Sequence, residues 1–305
     1  NDPFAQSNPI LNNYPNPFSD ITNVFYQLTA PGDIDLIKLA DAITRSLPPR
    51  NRPRQLLVDI SELVQHDVHT GIQRVVRNVL KEWLHHPPDG YRVEPVYARV
   101  DQPYRYARIF TGQFLGISSD ALTDQPIDVA PGDIFFVLDL QPQVQTAHAA
   151  FYQYLRQQGV TVQFMVHDLL CIQQPEHFVP GTAEGFSAWL QVVGESDGAV
   201  CISKATADAL AEWMQGTTWR RQRPFKIQWN HIGADLDKSA GPRGLPSDAE
   251  KILAKLCQCA TFLMVGTLEP RKGHAQVLDA FEKLCQQGTD VNLVIVGKQG
   301  WMVLS

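Results

Sequence analysis

Short apolar runs, separated by stretches with helical periodicity, constrain this chain more than any other feature. The runs are Leu56–Ser61, Ile134–Leu140, Val160–Val166, Gly198–Ser203, Lys226–Ile232, Thr261–Thr267 and Val291–Gly297. Several are apolar at successive positions, as in Phe135-Phe136-Val137-Leu138, which is how a strand reads when both faces are covered. After the first run, Ile72, Val75, Val76, Val79, Leu80, Trp83 and Leu84 recur at i, i+3, i+4, with Thr70 placed to cap the helix and Pro87-Pro88 to stop it. The same periodicity predicts helices over Val144–Gln158, Thr182–Asp197, Lys204–Met214 and Ala275–Gln287. Strands alternating with helices make a doubly wound α/β fold with a largely parallel sheet.

The rhythm has two interruptions. Residues 1–54 read as an extension: Asn, Pro and Asp dominate as far as Gly32, Ile34 to Leu47 looks helical, and Pro48-Pro49-Arg50-Asn51-Arg52-Pro53-Arg54 reads as a solvated connector. The stretch from Asp235 to Pro246 is rich in turn formers, and the expected boundary lies there, giving one domain over 55–240 and the start of a second over 241–305. About 60 residues suffice for a first βαβ unit but not for a whole doubly wound sheet, so the second domain is expected to be incomplete. A chain that begins at Asn1 and stops at Ser305 just past a strand reads as a piece of something longer.

Composition narrows the function classes. With 26 Lys+Arg against 32 Asp+Glu the net charge is −6, so the basic footprint of a nucleic-acid binder is missing. No apolar run approaches the roughly 20 residues that cross a bilayer. The cysteines Cys171, Cys201, Cys257, Cys259 and Cys285 fit a reducing cytoplasm, and Cys257-Gln258-Cys259 lacks the spacing of a zinc site, so no metal is expected.

The candidate chemistry gathers at strand ends. Gly71 opens the first long helix, where the absence of a side chain lets an anion approach backbone amides and the positive helix end. The loop Gly266-Thr267-Leu268-Glu269-Pro270-Arg271-Lys272-Gly273 follows an apolar strand and sets two adjacent cations before a helix, which suits a diphosphate. His167-Asp168 lies just past another buried strand. His167 can orient a substrate hydroxyl or stabilise charge on a reacting sugar, and Asp168 can fix its tautomer or cap a turn. Asn230 to Asp235 reads as a turn.

Together, Val265 to Gly273, Leu293 to Trp301, Asp59-Ile60-Ser61, Thr70 to Arg74, His167-Asp168 and Cys201-Ile202-Ser203 resemble the retaining family-four glycosyltransferases of the GT-B fold, in particular bacterial enzymes of O-antigen and related polysaccharide synthesis. The resemblance covers residues 55–305. It implies two Rossmann-like domains facing a cleft, the first holding the acceptor and the second a sugar nucleotide. Arg271 and Lys272, with Gly71, Gly266 and Thr267, would bind the donor diphosphate. Glu269 and Gly297 would belong to the donor-side loop, and His167 and Asp168 would be catalytic. Many relatives place Arg where this chain has Thr267, which shifts diphosphate neutralisation onto Arg271 and Lys272. The family's later acidic motif would lie beyond Ser305.

The resemblance implies no cofactor beyond the donor, GDP-mannose first and dTDP-rhamnose or GDP-rhamnose next. Its implied partners are a glycan or lipid-linked glycan acceptor and other domains or subunits of a polysaccharide assembly complex. The implied place is the cytoplasm, peripheral at the inner membrane. Rival readings are a catalytically silent GT-B-like module of a larger polymerase and a sugar-nucleotide epimerase sharing the fold.

Overall fold

The structure, a computed structural model, describes residues 53–67, 71–217, 219, 221, 223–233 and 246–300. The expected helix over 34–47, most of the Pro/Arg connector, the Thr70 cap and most of the expected boundary from 235 to 246 lie outside the described residues.

Seven strands form one sheet in the order β3-β2-β1-β4-β5-β6-β7. They are β1 (Arg54–Asp59), β2 (Tyr91–Arg99), β3 (Gln102–Tyr106), β4 (Ile134–Val137), β5 (Thr161–Val166), β6 (Gly198–Cys201) and β7 (Lys226–Trp229). All neighbours are parallel except β2 and β3. The helices of this unit are α1 (Ser61–Gln65), α2 (Gly71–His85), α3 (Arg108–Phe114), α4 (Pro142–Ala147), α5 (Ala149–Gln157), α6 (Leu170–Gln173), α7 (Thr182–Gly194) and α8 (Lys204–Gln215).

From β1 the chain crosses to β2 on one side, and from β4 it steps through β5, β6 and β7 on the other. Right-handed crossovers in opposite directions put α2 on one face and α5, α7 and α8 on the other. Alternation along the strands divides the core accordingly. Leu57, Phe135, Val162 and Phe164 pack with Tyr152, Leu155, Trp189 and Leu210, whereas Leu56, Val58, Phe136 and Leu138 pack with Leu63, Val76 and Leu80. The direction reverses between β1 and β4, and open α/β sheets hold ligands at the carboxyl ends of the strands flanking such a switch point.

A second sheet pairs β8 (Ala260–Val265) with β9 (Val291–Val296) in parallel, in register from Ala260↔Val291 to Val265↔Val296. The crossover is α10 (His274–Gln286), and α9 (Ala249–Leu256) precedes β8.

Three local expectations change. Gly198–Ser203 is strand only as far as Cys201, because the Ser203 hydroxyl accepts the Thr206 N–H at 3.1 Å and caps α8. Val144–Gln158 is two helices that part at His148 (φ −100°, ψ 17°). The His148 ring bonds the Val144 carbonyl at 2.9 Å and the Gln102 carbonyl at 3.1 Å, which ties the break to β3. β2 and β3 are additions that the apolar runs did not announce.

Candidate active site

His167 follows β5 and is 5% exposed. Its ring bonds the backbone of Leu138, just past β4, and Nε2 has no hydrogen-bond partner among the described residues. Burial lowers the ring's pKa, the nearby Asp168 charge and the Leu138 bond opposing it, so the neutral imidazole is favoured. Nε2 is the ring nitrogen left for an outside hydrogen-bond partner. The Asp168 carboxylate accepts the Leu170 N–H at 3.1 Å and caps the turn into α6.

Gly71 begins α2, and a Cβ built there meets nothing within 4 Å. Among the described residues, nothing fills the space beside this glycine. Gly266, just after β8, is equally open. Gly297 differs: a Cβ there would sit 1.8 Å from the Gly266 carbonyl oxygen, so this glycine serves the approach of two backbones. Thr267 is half-buried in the loop between β8 and a short 3₁₀ turn, Pro270–Lys272.

Within that loop the two cations are not equivalent. The Arg271 guanidinium forks onto the Glu269 carboxylate, Nε to Oε2 at 3.0 Å and Nη2 to Oε1 at 3.1 Å, and Glu269 is 1% exposed. Arg271 also lies 5.9 Å from the centre of the Phe178 ring, on the segment that follows β5 and α6, so the loop touches the first unit on its carboxyl-end side. Lys272 is exposed and makes no ion pair among the described residues. Gly273 adopts φ 73°, the left-handed geometry that turns the chain into α10.

Residues 251–302, which include the whole of this loop, match the family model described as glycosyl transferases group 1. Over 280 residues, 91% of the chain, the sequence is 38% identical to a serotype-specific mannosyltransferase WbdA of Escherichia coli, and 37% identical to another protein of that name and species. The chain spans about a third of the length of these relatives, the aligned part being 33% and 34% of them.

The matched segment thus brings Gly266, Thr267, Glu269, Arg271 and Lys272 into one loop, while Gly71 stands at the start of α2 and His167 just past the carboxyl end of β5. A second polar cluster lies at the switch point; from the sequence, Asp59-Ile60-Ser61 entered only as part of the resemblance, and Tyr104, Asp139 and Tyr152 were not picked out. Asp59 accepts the Ser61 N–H at 2.9 Å, the Ser61 hydroxyl at 2.5 Å and the Tyr104 hydroxyl at 2.8 Å, and Tyr104 meets the Tyr152 hydroxyl at 2.8 Å. Asp139 accepts the Leu63 N–H at 2.6 Å and the Leu140 N–H at 2.9 Å. Burial raises the pKa of Asp59, against the pull of its Ser61 and Tyr104 bonds, and raises that of Asp139 to about 7. The available signal was an aspartate closing each of two buried runs, Val58-Asp59 and Leu138-Asp139. Among the described residues, no helix is long and apolar enough to cross a membrane.

Proposed function

We propose that this chain is the acceptor-side unit and first donor-binding segment of a hexosyltransferase that moves mannose from GDP-mannose, with retention, onto a growing bacterial surface polysaccharide such as O-antigen. The observation that carries the reading is the loop from Gly266 to Gly273: the fork of Arg271 onto the buried Glu269 carboxylate shapes it, an exposed Lys272 offers it a cation, and it lies within the group 1 glycosyl transferase match. The mannosyl donor is favoured by the similarity to the Escherichia coli mannosyltransferases.

In the proposed reaction the bond between the sugar's anomeric carbon and the diphosphate oxygen breaks, and its electron pair leaves with the phosphate. Positive character builds at the anomeric carbon, and the acceptor hydroxyl attacks from the face just vacated, passing its proton to the departing phosphate oxygen. Lys272, the amides of the loop and the open helix end at Gly71 meet the charge growing on that phosphate. Nε2 of His167 hydrogen-bonds a hydroxyl of donor sugar or acceptor and fixes its angle of approach. No metal enters these steps. The proposed partners are a glycan or lipid-linked glycan and neighbouring parts of an assembly complex, at the cytoplasmic side of the inner membrane.

The test is a panel of sugar nucleotides offered to the full-length protein with a surface-glycan acceptor, followed by nuclear magnetic resonance of the product's anomeric linkage. An α-mannosyl product from the α-configured GDP donor supports the proposal. Transfer of rhamnose instead corrects the donor, and an inverted linkage removes retention. The silent-module reading is favoured by Thr267 and by the engagement of Arg271 with Glu269, and it requires that no donor be consumed.

A further inference from the structure

The amino ends of β5, β6 and β7 gather cations that the proposed chemistry does not use. Arg156, in the last turn of α5, is buried and donates from Nε to the carboxylate of Asp197, just before β6, at 3.1 Å. Arg223, ahead of β7, donates from Nη2 to the Arg156 carbonyl at 2.6 Å, and its Nη1 lies 3.7 Å from the same Asp197 oxygen. The other Asp197 oxygen accepts the Val162 N–H at 2.9 Å. One carboxylate thus serves two guanidiniums and the backbone.

A third guanidinium, that of Arg221, has no such partner. It lies over the rings of Trp219, at 4.8 Å, and Phe225, at 4.9 Å, and makes no hydrogen bond or ion pair among the described residues. Its Nε is shut away from solvent without an acceptor, which costs stability unless a partner arrives. The rings themselves are fixed. Trp219 donates from Nε1 to the Met214 carbonyl at 3.0 Å and covers Gly194 so closely that a Cβ there would stand 2.2 Å from the ring. Phe225 packs against the core that holds Leu155 and Trp189. Burial, and then the charge of Arg156, lower the Arg221 pKa from its ordinary value, so the fold holds this cation where a neutral side chain would sit more easily.

We propose that Arg221 is the centre of a phosphate-binding site at the amino-end edge of the seven-stranded sheet, backed by the charges of Arg156 and Arg223. The cluster sets three positive charges against the one carboxylate that pairs with it among the described residues, so its ligand is an anion. A guanidinium stacked on rings keeps its N–H groups in one plane, as a fork that fits two oxygens of the same group. A phosphate, with three acceptor oxygens and up to two charges, meets both the fork and the surplus charge, where a carboxylate meets only the fork.

This site is separate from the one at Gly71, His167 and Lys272. Arg223 also donates to the carbonyl of Val160 at 3.4 Å, at the start of β5, whereas His167 follows the far end of that strand, about 20 Å away. The inference is therefore independent of the proposed activity. The phosphate belongs either to a lipid headgroup or to a soluble molecule, and a headgroup would hold the carboxyl ends of the strands about 20 Å off the lipid surface.

The test uses the full chain and reads Arg221 itself. Phenylglyoxal, which modifies accessible guanidiniums, is applied in sodium phosphate, in sodium chloride of equal ionic strength, and in that chloride with vesicles of phosphatidylglycerol in phosphatidylcholine. The modified residues are then mapped by mass spectrometry. An occupied site is expected to slow the labelling of Arg221 about fivefold or more relative to chloride, following 1 + [L]/Kd. Arg108, which lies over the Tyr106 ring at 4.5 Å, should label at an unchanged rate. Protection by the vesicles, with co-sedimentation that Arg221→Gln reduces, assigns a lipid headgroup, whether or not inorganic phosphate also protects. Protection by inorganic phosphate alone assigns a soluble phosphate. Equal labelling of Arg221 in all three conditions overturns the inference, as does equal protection of Arg108. An Arg221 that fails to label even in chloride is closed to any ligand and overturns it too.

Discussion

Asp59 and Asp139 are joined through the backbone, the Asp139 N–H donating to the Asp59 carbonyl at 3.1 Å, so that two buried carboxyls stand side by side where β1 and β4 end. Burial raises both pKa values, Asp139 to about 7, while the unfolded chain ionises its aspartates near 3.8. Between those limits the folded state holds more protons than the unfolded one, so stability falls as pH rises from about 4 to about 7. Asp139→Asn is expected to flatten that part of the curve of Tm against pH. An unaltered slope in the variant would assign the titration to other groups.

Lys272 and Arg271 should separate by kind of defect. If Lys272 meets the leaving phosphate as proposed, Lys272→Ala should cost about 3–4 kcal/mol in turnover and leave Tm unchanged. Arg271→Ala strands the Glu269 carboxylate, 1% exposed, without its fork, so it should also lower stability by about 1–3 kcal/mol. Paired measurement of turnover and thermal unfolding checks both. Matching Tm losses in the two variants would show that the fork does not hold the loop.

His167→Ala should lower transfer by roughly 10²-fold or more while nucleotide affinity stays near that of wild type, because the diphosphate contacts are assigned to Gly71 and the loop after β8. A purely structural histidine would give a lower Tm with the rate per folded molecule preserved. Initial rate, nucleotide titration and melting on one preparation distinguish the two.

The glycines offer a steric contrast. Gly71→Ala and Gly266→Ala enter open space and should leave Tm almost unchanged while weakening donor binding, since the added methyl stands where the phosphates would approach. Gly297→Ala drives a methyl to 1.8 Å from the Gly266 oxygen and should destabilise the β8–β9 pair by about 3 kcal/mol or more. Calorimetry with and without nucleotide reads both effects. Normal donor affinity in Gly266→Ala would remove that glycine from the donor site.

Much of the fold was legible because buried parallel strands and their covering helices carry strong, local patterns: every run from Leu56 to Gly297 contains a strand. β2 was not, since Pro95 sits inside it. The proline is tolerated because its carbonyl accepts from Ala107 on the β3 side, so its missing N–H falls on that side too and costs β1 no bond. In the candidate site, Lys272 and Gly266 could be read from a strand followed by a loop. The fork of Arg271 onto Glu269 could not, because residues two apart meet only through a 3₁₀ turn that periodicity does not reveal. The Leu138–His167 bond joins positions far apart in sequence, and the Tyr104–Tyr152 contact is equally non-local.

The loop after β8 is held by main-chain atoms: Gly266 N–H to the Val296 carbonyl at 2.9 Å, Leu268 N–H to the Lys298 carbonyl at 2.8 Å, and Gly300 N–H to the Leu268 carbonyl at 3.0 Å. The curve of this socket is therefore insensitive to the identity of residues such as Thr267 and Leu268. Side chains at these positions can be exchanged while the frame is kept, so under the proposed function a change of ligand preference need not wait for a change of architecture.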